Sequence, residues 1–136
     1  MIRQFAIAYG VFAIVFLALD ALWLTAMADR LYRPAIGHLM RDGFSLAPAA
    51  IFYVLYVAGA VVFAVRPGLD SGSWAAAMGW GALLGLLAYA TYDLTNQATL
   101  RDWPWQVTVA DLCWGTFVTA MSAGAACYVA LRFGSD

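Results

Sequence analysis

Asp20, Asp93 and Asp111 each interrupt a stretch that otherwise reads as membrane-spanning helix. A charged side chain at the centre of the hydrocarbon costs about 2.5–3.5 kcal/mol on insertion scales, so it requires a partner, a proton or a watery cavity. Carboxylates in that setting can relay protons, hold a cation, or divide acid and base roles between them. The residues around them are suited to such work. Gly85, Tyr89, Tyr92 or Asp93, Asn96 and Thr99 recur at helical spacing as one stripe, and Thr108, Gly115, Thr119 and Ser122 do so with Asp111. Tyr9, Phe16, Trp23 and Met27 share a face with Asp20. Two of the acids also sit in the same short pattern, Asp20-x-x-Trp23 and Asp111-x-x-Trp114, which sets acid and indole one turn apart. An indole N–H beside each carboxylate is the expectation. At least one of the three acids is expected to keep a proton at neutral pH unless a cation or an arginine is at hand.

The elements that must position these residues follow from composition. The 136 residues are 65% hydrophobic and 11% charged, against about 45–50% and about 25% in soluble domains. The chain belongs in lipid, and a net charge of −1 offers no footprint for nucleic acid. Four apolar segments, at about 4–28, 45–65, 73–99 and 105–131, each exceed the roughly 20 helical residues needed to cross the bilayer. The first has an arginine ahead of it and an Ala26-Met27-Ala28 like a cleavage site, but its length and Asp20 favour a transmembrane helix over a signal peptide. Proline- and glycine-containing links separate the segments, at 29–43, 66–72 and 100–104. The expected fold is all-α, a single transmembrane domain over residues 1–136, with four helices in an up-down bundle.

On that bundle the three aspartates fall about two turns from one end, roughly 9–12 Å below one surface. Tyr53, Tyr56 and Thr108 reach the same half, and His38 and Arg101 stand in the links above it. The other half is almost wholly apolar. Ala77, Gly81 and Gly85, and Gly115, Thr119 and Ala123, form small-xxx-small ladders expected to be packing seams, and candidates for contact with a second copy. Trp74, Trp103, Trp105 and Tyr128 are expected as interfacial anchors. Cys113 and Cys127 lie about 21 Å apart along one helix and cannot bridge within the chain, so two buried free thiols are expected. A single histidine and the lack of a CxxC motif give no metal or haem signature, and no cofactor is implied. Arginines number three on the terminal side and four on the other, which leans that other side towards the cytoplasm.

The run from Tyr89 through Asn96 and on to Pro104 resembles a family of small bacterial integral-membrane proteins, domain of unknown function 2177. The likeness extends to residues 19–24, 52–56 and 109–116 and covers nearly the whole chain. It implies a multi-pass protein of the bacterial cytoplasmic membrane with its polar motifs on Asp20, Trp23, Tyr89, Tyr92, Asp93, Asn96, Asp111 and Trp114. It implies no activity. Three readings stay open: a site that binds or transports a proton, cation or amphipathic ligand; an enzyme acting on a lipid or isoprenoid; and an accessory subunit pairing with basic residues of a larger complex. Membrane lipid is the expected partner in any of them, and a homodimer is expected for the first.

Overall fold

The structure, a computed structural model, describes residues 1–135, and among these all regular structure is helical. Backbone polar groups in hydrocarbon must be satisfied within the segment, which a helix does. Helix α1 spans Ile2–Met27. Its path continues through a π turn, Ala28–Tyr32, into the short α2, Arg33–Ile36, and a 3-10 turn, Gly37–Leu39. Helix α3, Leu46–Ala60, likewise passes through a π turn, Val61–Val65, into α4, Arg66–Ser71. Helices α5, Trp74–Thr99, and α6, Trp105–Phe133, are unbroken. The four paths are each long and apolar enough to cross a membrane.

The last two spans nearly coincide with those read from the sequence, but the first two run on past their expected ends. The cause is one dipeptide used twice. Arg33-Pro34 and Arg66-Pro67 each follow a five-residue π turn. Proline lacks an N–H and its ring crowds the carbonyl four residues back. A π turn just upstream absorbs that misfit, so the helix is redirected instead of stopped. Met27 already departs from helical values, with φ −104° and ψ −12°. The 38 residues of Ile2–Leu39 would measure about 57 Å if straight, nearly twice the roughly 30 Å core. Residues 28–39 therefore extend beyond the span, and their exposed Asp29–Arg33 ion pair suits the interface.

Helix α6 is the centre of the bundle, with Val107, Thr108, Val118, Thr119 and Ser122 all but closed to solvent. It packs chiefly on α5 and α1. Helix α4 and the Val61–Val65 turn close onto α5, whereas α3 leans on α1 and has little contact with α5. The bundle is thus shut at the terminal end and parts between α3 and α5 at the other. The α5–α6 seam consists of the two small-residue ladders. A Cβ added at Gly81 would lie 2.9 Å from that of Ala123, and one at Gly85 would lie 2.1 Å from the Gly115 carbonyl oxygen. The ladders serve contacts inside one chain.

The closed half is apolar, as expected, with Phe12 and Phe16 stacked at 5.6 Å beside Val57, Ala60 and Val65. Tyr56 reaches into it and shares a 2.8 Å hydrogen bond with Thr119. Cys127 is buried, but Cys113 is exposed on the outer face of α6, contrary to the expectation of two buried thiols. Trp74, Trp105 and Tyr128 are about half exposed or more, in keeping with interfacial anchors. Trp103 is not one: it is 6% exposed, because the tight 100–104 link folds its ring inward against Tyr92 and Thr108.

Candidate functional site

The two Asp-x-x-Trp patterns meet. On α1 and α6 the three-residue spacing sets each acid and its indole on one helix face, and the faces oppose one another. Trp23 and Trp114 stack with centroids 4.6 Å apart and planes 8° from parallel. Their hydrogen bonds cross between helices. Trp114 Nε1 donates to Asp20 Oδ1 at 3.2 Å. Trp23 Nε1 donates to the Tyr32 hydroxyl at 2.8 Å, and Tyr32 in turn donates to Asp111 Oδ1 at 2.5 Å. Tyr53 of α3 completes Asp20 by donating to Oδ2 at 2.5 Å. Side chains one turn apart on a helix point outward side by side. An indole therefore serves the facing helix more readily than the acid beside it. Asp20 has its indole donor, from α6; Asp111 has a phenol instead.

Between these helices lies a cleft of about 430 Å³, lined by Asp20, Trp23, Tyr32, Tyr89, Asp111 and Trp114, with Leu24, Phe52, Ala88 and Tyr92 completing it. Its volume falls in the range of small-molecule sites, roughly 300–1,000 Å³. Phe52 on α3 and Tyr92 on α5 are 48% and 58% exposed. They form a rim where those two helices part. The absent side chain of Gly115 shapes the inner wall: the Tyr89 ring occupies the place a Cβ would take, 2.2 Å from it.

Asp93 stands behind this cleft, fully buried, with no hydrogen-bond partner at either oxygen. Its polar neighbours are the Asp111 carboxyl and the Trp103 indole. That indole already donates to Thr108 Oγ1 at 3.1 Å. Thr108 Oγ1 in turn donates to Gln97 Oε1 at 2.7 Å, and Gln97 Nε2 donates to the Trp103 carbonyl at 2.6 Å. This ring of three side chains ties the 100–104 link down over the acids. The three aspartates do not converge on one point: among the described residues no group of three His, Cys, Asp or Glu side chains could hold a metal ion.

Of the eight residues singled out by sequence, Asp20, Trp23, Tyr89, Tyr92, Asp111 and Trp114 line the cleft. Asp93 is packed behind it and Asn96 lies beside Tyr92. Of the supporting residues, Tyr53 and Thr108 enter the hydrogen-bond networks, and Tyr56 sits deeper, on Thr119. His38 lies 3.4 Å from Asp102 in the exposed links, and Arg101 is exposed there too; neither lines the cleft. Tyr32, Phe52, Gln97 and Trp103 were not foreseen as site residues. Gln97 could have been, lying four residues beyond Asp93 on the same stripe.

Tyr32 joins both indole and acid, so Tyr32→Phe is expected to destabilise the protein by about 1–3 kcal/mol, the range for orphaning buried donors and charged acceptors. A thermal melt in mild detergent checks it, and an unchanged melt would show that the bridge carries no weight.

A family model described as a predicted membrane protein, domain of unknown function 2177, matches residues 5–128. Among curated proteins and solved structures nothing matches.

Proposed function

We propose, for a chain that belongs to the domain of unknown function 2177 family of predicted membrane proteins, that it is an intramembrane binding protein for amphipaths with a cationic head. One observation carries this reading. The cleft has two carboxyls flanking a pair of stacked indoles, further aromatic rings around them, and no arginine, lysine or histidine in its lining. An ammonium over an aromatic face gains about 0.5–2 kcal/mol, more when desolvated. A carboxylate at low dielectric attracts the same charge far more strongly than it would in water. The opening between α3 and α5 lets an acyl chain stay in hydrocarbon while its head enters sideways. An anionic head would meet two acids without a counter-charge.

The protein in lipid nanodiscs should be titrated with dodecyltrimethylammonium while tryptophan emission is followed, since Trp23 and Trp114 form the floor of the cleft. A saturable change is expected from the ammonium, and neither change nor competition from dodecyl sulfate. An equal response to both amphipaths, or to neither, would overturn the reading.

A further inference from the structure

We propose that Asp93 and Asp111 form a proton-binding site behind the cleft, holding one proton between them until a cation at Asp111 displaces it. The first half rests on Asp93 alone. A carboxylate can only accept hydrogen bonds, and both Asp93 oxygens are buried without a hydrogen-bond partner. The Trp103 N–H beside it is committed to Thr108. What remains next to it is another carboxyl. Two carboxyls can satisfy each other only when one retains its proton, which then makes an acid-to-carboxylate hydrogen bond, as in coupled carboxylate dyads.

The groups facing the pair reinforce this. None is a cation: they are Tyr32 from beyond α1 and Tyr89 and Tyr92 on α5, all neutral phenols, and, against Asp111, a further carboxyl, Asp20 on α1. Asp111 belongs both to the pair and to the cleft lining, which makes it the joint between proton and ligand. The displacement half rests on the cation-binding reading above. In that step no covalent bond other than O–H breaks. The pair goes from one negative charge to two, the cation supplies the compensating charge, and one proton leaves to water for each cation bound.

Infrared spectra of the protein in nanodiscs test the two halves separately. At neutral pH the wild type should show the carbonyl stretch of a protonated carboxylic acid, lost in Asp93→Asn and kept in Asp20→Asn. Saturating dodecyltrimethylammonium should remove the same band, and a pH dye should report one proton released per ammonium bound. Lack of the acid band in the wild type overturns the proton site. A band that survives saturation, with the fluorescence response intact, overturns the displacement and leaves the cation reading standing. Should Asp93→Asn fail to fold, Asp93→Glu, which keeps the acid but alters its carbonyl frequency, assigns the band, and a band left unmoved overturns the site.

Discussion

Gly85→Leu is expected to abolish the folded bundle. Even the first atom of a side chain at Gly85 would lie 2.1 Å from the Gly115 carbonyl oxygen and 2.8 Å from the Thr119 Cβ. The obstacle is the backbone of α6, which cannot rotate aside as a side chain can. Helices in lipid gain little from burying apolar surface, because the acyl chains are equally apolar; close packing and polar contacts hold them together. Overpacking a soluble core costs about 1–3 kcal/mol. Here α5 and α6 would have to separate along their whole seam, and the effect should exceed that range. Gly79→Leu is the control, for a Cβ there meets nothing within 4 Å. The readout is the yield of monodisperse protein in mild detergent followed by a thermal melt. A Gly85→Leu protein that melts with the wild type would refute the seam. The same close approach shapes the cleft, since Gly115→Ala would drive the Tyr89 ring out of its place against α6 and into the space a ligand would occupy.

The acids and indoles were legible because they contradict their surroundings. Asp20 and Asp111 are costly in hydrocarbon, and counting turns from the helix ends placed both near one surface. The α6 stripe of Thr108, Asp111, Gly115, Thr119 and Ser122 is buried throughout, because a central helix has one long inward face that periodicity reads well. On α5 the spacing admitted either Tyr92 or Asp93; the structure buries Asp93 and leaves Tyr92 at the rim. Spacing alone could not choose, since residues three and four apart from a common neighbour both lie near its face. Tyr32 was hidden by Pro34. Proline normally argues for a break, and only a π turn turns it into a continuation that carries the phenol back over Asp111. The crossed hydrogen bonds were out of reach for another reason: a local repeat fixes which helix face a residue occupies, whereas the partner of a side chain depends on what that face meets.

The double variant Asp20→Asn with Asp111→Asn is expected to weaken dodecyltrimethylammonium binding by about a hundredfold or more, equivalent to about 2.7 kcal/mol. Asparagine keeps the size of the acid with one oxygen acceptor and one amide donor: at position 20 the oxygen can keep the Trp114 N–H while the Tyr53 hydroxyl turns to accept from the amide, and at position 111 the oxygen keeps Tyr32. What is lost is charge in a desolvated cleft. Removing one member of a buried hydrogen-bonded charge pair costs roughly 2–5 kcal/mol in protein interfaces. The two losses should not simply add, because both carboxyls face one small cavity and the carboxylate left in a single variant can still hold the cation. Each single variant is therefore expected to fall short of half the combined effect in free energy. Fluorescence titration in nanodiscs checks the affinity, and circular dichroism checks that the helices persist. A double variant that stays folded and binds within twofold of the wild type would eliminate the carboxyls as the source of affinity. The proton site adds a direction to the same measurement. Cation and proton compete for Asp111, so wild-type affinity should fall as pH is lowered, and in Asp93→Asn that dependence should flatten.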